Sequence, residues 1–230
     1  MTNESVMNLR IFDTVDDLLR GAERTLLQRI EAGARTIGLS GGSTPKPLYQ
    51  SLGQNDRLRD IPITWVVVDE RYVPIDDPQS NAGMIEKTLF ARGMPDLHRF
   101  LRFRTELNDP AETANEFERE WRDFGLDRLD IVSLGIGDDG HTASLFPGTT
   151  ALNVDDRIAT AVHVPKLNAW RVTLTKTTIR EAALRQVIAA GESKRPILQE
   201  VRAGADYPIA IVTRGVETWW LVDKNAAPSS

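Results

Sequence analysis

The sequence predicts an α/β fold, a mostly parallel sheet flanked by helices on both faces. Short apolar runs rich in β-branched residues alternate with segments of helical periodicity. Four of those runs end in a glycine turn or a charge cluster, where open α/β sheets place their ligands. No linker-like stretch divides the chain, so residues 1–230 read as one domain.

Leu9 to Phe12 reads as a first strand. Thr14 is the N-cap of a helix whose first turn holds Asp16 and Asp17. Val15, Leu18, Leu19, Ala22, Leu26 and Ile30 make its apolar face, and Gly33 ends it. Thr36 to Leu39 is a buried strand, followed by the turn Ser40 to Thr44 and a helix with Pro45 as its first residue. Ile63 to Val68 is a strand ending in Asp69-Glu70-Arg71, and Val73 to Gln79 is irregular. Ser80 caps a helix through Phe90, Arg99 to Phe103 is a strand, and Asp109-Pro110-Ala111-Glu112 opens a helix to about Phe124.

Asp130 to Leu134 is the next strand, then Ala159 to Val164 and Arg171 to Thr175. The last two lack a helix between them, so part of the sheet is expected to be antiparallel. A helix near Thr178 to Arg185, a strand at Gln186 to Ala190, a helix opened by Ser193, and strands at Ile209 to Val212 and Trp219 to Val222 complete the series.

Composition narrows the function. A net charge of -5 argues against general affinity for nucleic acid, which needs clustered Lys and Arg. The chain has no cysteine, which removes disulfides, thiolate catalysis and thiolate metal sites, and fits a cytoplasmic location. The polar start, Met1 to Asn8, does not read as a signal peptide. No apolar run approaches the ~20 residues of a membrane helix. The three histidines lack metal-ligand spacing, which argues against zinc, and no cofactor is expected.

Four segments can carry chemistry. In Ser40-Gly41-Gly42-Ser43-Thr44-Pro45, glycines let backbone N–H groups approach an anion, a helix N-terminus adds positive potential, and Ser43 and Thr44 add hydroxyls. The same residues also describe an ordinary strand-to-helix turn. Asp69 to Tyr72 places three charges at a strand end, where Arg71 can grip a phosphate or carboxylate, or form a salt-bridge cluster. Gly135 to Gly140 is a turn ending in Asp138, Asp139 and His141. There an imidazole can move a proton near neutral pH with an acid to orient it, or can simply bond its own loop. Gly191-Glu192-Ser193-Lys194-Arg195 offers Lys194 as a cation at a helix start, or an exposed basic turn. Arg171 is a further cation near a strand start, and His98 and His163 read as structural. A parallel sheet brings alternate strand ends to one edge. The combined inventory describes acid–base chemistry on a phosphorylated small molecule.

The segments S-G-G-S-T-P-K-P-L-Y (Ser40 to Tyr49), V-D-E-R-Y-V-P (Val68 to Pro74) with Ser80-Asn81, and G-I-G-D-D-G-H-T-A-S-L-F-P-G (Gly135 to Gly148) resemble the 6-phosphogluconolactonase family. V-P-K (Val164 to Lys166), R-V-T-L-T (Arg171 to Thr175) and G-E-S-K (Gly191 to Lys194) continue the resemblance, which spans about Ser40 to Asp223. It implies hydrolysis of 6-phospho-D-glucono-1,5-lactone in the oxidative pentose phosphate pathway, on a fold shared with glucosamine-6-phosphate deaminase, without a metal. His141 corresponds to the family's proposed base. The Gly41 to Thr44 loop, Arg71 and Lys194 correspond to its phosphate site. Asp139, Asp69 and Arg71 join His141 as candidate catalytic residues, and Arg171 joins the phosphate-binding set. The expected partner is a phosphorylated sugar lactone, with no nucleic acid or membrane, and the chain is expected to be a monomer or weak homodimer.

The chain departs from the family at Asp138, where proline is frequent, at Arg195, and in the loosely matching Val216 to Asp223. The deaminase relative carries a glutamate five residues after the histidine, where this chain has Phe146, and it lacks the counterpart of Arg71. Both differences favour the lactonase over an amino-sugar-phosphate isomerase. A non-catalytic sugar-phosphate-binding protein is the third reading.

Overall fold

The computed structural model describes residues 7–229, so most of the polar Met1–Asn8 segment lies outside the described residues. In chain order the elements are β1 (Leu9–Phe12), α1 (Val15–Glu31), β2 (Thr36–Leu39), α2 (Lys46–Gln54), α3 (Asp56–Arg59), β3 (Ile63–Val67), β4 (Asp69–Arg71), α4 (Asn81–Leu89), β5 (His98–Leu101) and α5 (Pro110–Asp123). They continue with β6 (Ile131–Leu134), β7 (Ala159–Val164), β8 (Ala169–Leu174), α6 (Lys176–Glu181), β9 (Leu184–Ala189), α7 (Arg195–Arg202), α8 (Pro208–Thr213) and β10 (Thr218–Asp223).

Seven strands pair in parallel in the order β1-β10-β9-β6-β2-β3-β5. Every residue of β3, β6 and β9 is buried. Successive side chains on a strand point to opposite faces, so both faces of the sheet centre are covered. The covering helices form as their sequences direct. The Thr14 hydroxyl accepts from Asp17 N at 3.1 Å and caps α1, which buries Leu18, Ala22, Leu26 and Ile30 along one stripe. Gly33, at φ +106°, lets the chain leave the helix. Full burial of each large aliphatic side chain contributes about 1.5–3 kcal/mol. Ser80 caps α4 and Asp109 caps α5 through their side chains, as expected.

The antiparallel part is a separate sheet. β4, β8 and β7 pair antiparallel in that order, and the tight connection between β7 and β8 turns at Asn168, φ +44°. The chain steps from one sheet to the other at Val68, whose N–H donates to Leu39 O and whose carbonyl accepts from Leu174 N. Asp69, Glu70 and Arg71 therefore lie on the small sheet rather than trailing off a parallel strand.

Other expectations shift. Ile209 to Val212, expected as a strand, is part of α8: Pro208 supplies a fixed first-turn φ, and a short apolar run has no periodicity that separates a buried helix from a buried strand. The helix expected to reach Arg185 stops at Glu181, and Arg185 belongs to β9. Pro45 precedes α2 rather than beginning it. Ser193 does not cap a helix; Glu192–Lys194 is a 3-10 turn and α7 starts at Arg195.

Arg185 is the largest charged group in the interior, 2% exposed. It has no carboxylate within ion-pair distance among the described residues. Its guanidinium donates instead to carbonyls: Glu217 O at 2.8 and 3.0 Å, Ile179 O at 3.4 Å, and Arg180 O. The last two carbonyls end α6, where negative potential favours a cation. Burial, with the nearby charge of Arg180, pulls the group down to about 10, so it stays charged at neutral pH. This one side chain ties the end of α6 to the start of β9 and β10. Arg185→Met is expected to destabilise the protein by about 2–4 kcal/mol in urea denaturation, because several carbonyls lose a charged donor. A loss well under ~1 kcal/mol would show that water reaches them.

Candidate active site

Strand order reverses at β2. From there the chain moves outward through β3 to β5, while β6, β9, β10 and β1 lie on the other side. Such switch points open a crevice at the carboxyl ends of the strands. Here the crevice is a cleft of about 310 Å³, lined by Gly41, Gly42, Ser43 and Thr44 after β2, Asp69 and Arg71 of β4, Gly135 to Gly137 and His141 after β6, and Ala190 and Lys194 after β9. The four chemistry-bearing segments singled out in the sequence thus share one cavity. Asp139 and Arg171 do not line it.

The Ser40–Pro45 turn is shaped by close approach. A Cβ on Gly41 would sit 1.7 Å from Asn81 Oδ1, and Gly42 has φ +107°. Asn81 donates through Nδ2 to Asp69 O at 2.7 Å, so its amide wedges between the turn and β4. Tyr49 Oη donates to Ser40 O and Ser40 Oγ donates to Ser133 O, both at 2.7 Å. No side chain caps the N-terminus of α2 or of α7, and both ends reach the cleft. The positive end of a helix favours anions.

His141 is held on three sides. Its Nδ1 lies 2.5 Å from Asp139 Oδ1, and Asp139 Oδ2 takes an ion pair from Lys166. An ionised carboxylate only accepts, so Nδ1 carries the proton and a neutral ring leaves Nε2 as the acceptor. Among the described residues Nε2 has no hydrogen-bond partner. Burial opposes the charge on Asp139, but the hydrogen bonds from Lys166 and His141 outweigh it and hold this carboxyl well below its usual range. The ring stacks on Phe146 at 4.1 Å between centroids, inclined by 22°. Gly137 leaves room for it, since a Cβ there would meet His141 Nδ1 at 2.0 Å.

Asp69 and Glu70 separate cleanly. Glu70 accepts from the N–H groups of Arg71, Asn81 and Ala82 at 2.7–2.8 Å and from Ser80 Oγ at 3.0 Å, so it caps the start of α4. Asp69 faces the cleft, 8% exposed, and accepts from Ser144 Oγ at 2.7 Å. Burial pushes its carboxyl up, against the Ser144 hydrogen bond and the charges of Arg71, Arg171 and His141. Arg71 donates to Gln79 O at 2.5 Å and stands opposite Arg171 across β4 and β8. Directly opposed residues share a sheet face, so two guanidiniums neighbour each other without an ion-pair partner within 4 Å among the described residues. Arg171 flanks the cleft wall from that position. Lys194 lines the cleft and pairs with Asp138 at 2.6 Å.

Sequence reasoning missed Lys166, Asn81 and Ser144 as site-building residues. Each stands in a segment that carried the family resemblance, but only the folded chain shows what it touches.

Fold and cleft together define an α/β enzyme architecture with its site at a topological switch point. The model of the glucosamine-6-phosphate isomerases/6-phosphogluconolactonase family matches residues 13–220. The match begins well before Ser40, so the relationship includes the first helix. A 6-phosphogluconolactonase of Nostoc sp. is 39% identical over 207 residues, covering 85% of each chain. The solved 6-phosphogluconolactonase from Trypanosoma cruzi superposes with a TM-score of 0.85 at 27% identity, covering 96% of each chain. A monomeric glucosamine-6-phosphate deaminase shares the fold, with a TM-score of 0.80 at 21% identity, over 96% of this chain and 98% of that one. The chain belongs to the glucosamine-6-phosphate isomerase/6-phosphogluconolactonase family.

Asp69 generates a stability prediction. As pH rises, the carboxyl ionises first in the unfolded chain, because burial has raised its folded pKa. Folding therefore loses stability from the ordinary carboxylate range upward, and the full cost stands above the folded pKa. Asp69→Asn is expected to be more stable than the parent by about 1 kcal/mol at pH 7, with the advantage vanishing near pH 3. Urea denaturation at both pH values measures it. A less stable variant at pH 7 would mean that Ser144 and the two arginines outweigh burial.

Proposed function

We propose that the chain hydrolyses 6-phospho-D-glucono-1,5-lactone to 6-phospho-D-gluconate, the second step of the oxidative pentose phosphate pathway, with His141 as general base. One observation carries the reading: an imidazole whose Nδ1 is tied to Asp139 borders the same cleft as the Ser43–Thr44 turn and Lys194. A base at one end and anion donors at the other suit a sugar ester anchored by its phosphate.

The phosphate docks on the N–H groups and hydroxyls of the Gly41–Thr44 turn, with charge from Lys194 and from Arg71 backed by Arg171. The lactone carbonyl then lies near His141. Nε2 takes a proton from water as its oxygen attacks C1. The Asp139 carboxylate, held by Lys166, stabilises the imidazolium that forms. Backbone N–H groups of the glycine loop, or Arg71, steady the tetrahedral oxyanion. The imidazolium returns its proton to the ring oxygen as the C1–O bond breaks. Asp69 helps position the reacting end, and no metal or cofactor takes part. General base assistance contributes ~10²–10⁴-fold. The chain acts in the cytoplasm as a monomer or weak homodimer on a small-molecule substrate, without nucleic acid or membrane.

The isomerase reading is disfavoured at Phe146, whose ring stacks on His141 and cannot relay a proton. An enediol route needs more acid–base groups than this face of the imidazole offers. A non-catalytic binder has no use for a histidine poised in this way.

The deciding measurement is a coupled assay on freshly made lactone, with glucosamine 6-phosphate run in parallel. Lactone hydrolysis alone is expected, and deaminase activity would overturn the reading. His141→Ala is expected to lower kcat by at least about 100-fold while still binding 6-phosphogluconate. A near-parental rate would remove His141 as the base. Lys194→Ala is expected to raise KM about tenfold with a smaller change in kcat, because it removes binding common to ground and transition states. An unchanged KM would take Lys194 out of the phosphate site.

A further inference from the structure

Two cationic side chains line the cleft, Arg71 and Lys194, and they are partnered differently. Arg71 spends one N–H on a neutral carbonyl, Gln79 O. Lys194 places Nζ 2.6 Å from Asp138 Oδ1. The lysine side chain is 24% exposed and the aspartate 73%. Asp138 does not line the cleft. It reaches the ammonium from the rim, while its neighbour Asp139 turns the other way to His141 and Lys166.

We infer that Asp138 sets the affinity of the cleft for phosphate by competing for the Lys194 ammonium. The inference rests on the lactonase reading only in requiring a phosphate-bearing ligand at Lys194. A phosphate dianion arriving there meets a cation already neutralised from outside, and the displaced carboxylate remains close enough to repel it. An exposed pair in water holds weakly, so the contact yields without closing the site. The repulsion acts on substrate and product alike. It acts harder on the product, because opening the lactone adds a carboxylate and raises the net negative charge by one. Asp138 therefore weakens capture and retention together, and retention of the product somewhat more. A rim charge with no contact to the reacting atoms tunes binding in this manner, and salt screens it.

Asp138→Asn keeps the side-chain shape and removes only the charge. Inorganic phosphate is the probe, titrated by calorimetry and as a competitive inhibitor, beside KM for the lactone and inhibition by 6-phosphogluconate. At low salt the variant is expected to show KM and both inhibition constants lowered about three- to tenfold, the range expected for one charge acting near the dianion through water. In 0.5 M NaCl the difference should shrink to less than about twofold. On a Lys194→Met background the same Asp138→Asn change should improve phosphate binding by less than half as much, the remainder being direct repulsion by the carboxylate. Unchanged constants at low salt would overturn the inference. So would an equal gain on the Lys194→Met background, which would make Asp138 a general surface charge. Phosphate titration needs no turnover. A parent protein that binds phosphate but leaves the lactone intact would overturn the proposed function and leave the Asp138 measurement standing.

Discussion

The site depends on the parallel pairing of β2 with β6. Only Ile37 with Ile131 and Gly38 with Val132 form the ladder, but it is locked at both ends. At the entry, Asp130 Oδ2 accepts from the N–H groups of Arg35 and Thr36 at 2.6 and 2.9 Å. At the exit, Ser40 Oγ donates to Ser133 O. Gly38 permits the approach, since a Cβ there would lie 2.9–3.0 Å from the side chains of Leu129 and Val132. A slip of one residue would turn every side chain of the strand to the opposite face. It would also part the Ser43–Thr44 turn from the glycine loop that carries His141. The cleft is thus a consequence of strand register before it is a collection of reactive groups.

Charge in and around the cleft follows a consistent division. Acids that build structure are saturated with donors: Glu70 holds the start of α4, and Asp139 is fixed between Lys166 and His141. Asp69 is buried with fewer donors, and its carboxyl is driven up. Cations are left comparatively free, with Arg71 and Arg171 opposed across β4 and β8 and Lys194 held, among the described residues, by one exposed aspartate. A protein selected for stability alone would pair such groups more completely. Leaving like charges adjacent at a cleft wall suits a site whose counterion arrives with the substrate. This economy of partners fits the lactone chemistry proposed, where the ester is already reactive and the protein needs chiefly to anchor, orient and remove one proton.

The small antiparallel sheet contributes what the parallel sheet cannot. A parallel strand delivers its carboxyl end to the crevice, whereas β4 runs across it and presents Asp69 and Arg71 from the side. Val68 makes the transfer by bonding to both sheets. The same small sheet ends in the hairpin turn that carries Lys166 to Asp139. Two layers thereby brace one imidazole: Gly137 and Phe146 from the β6 loop, and Lys166 from the hairpin.

Much of this was legible in the sequence. Thr14, Ser80 and Asp109 announced helix starts because capping is a local event within three or four residues. The strands β2, β3 and β6 stood out as short apolar runs, and their glycine or charged ends marked the crevice. The segment Ile209 to Val212 was not legible, because a run of four apolar residues carries no period and Pro208 acts through its first-turn geometry. The break at Val68 was equally hidden, since the hydrogen bond that carries the chain into the second sheet joins Val68 to Leu174, over a hundred positions away. The sequence by itself determined most of the elements, the segments that line the cleft and the family. Tertiary structure alone decided that Glu70 is a cap while Asp69 faces the cleft, that Lys166 supports Asp139, and that Asp138 reaches Lys194. Local propensity acts between neighbours in the chain, whereas hydrogen bonds and ion pairs act between neighbours in space.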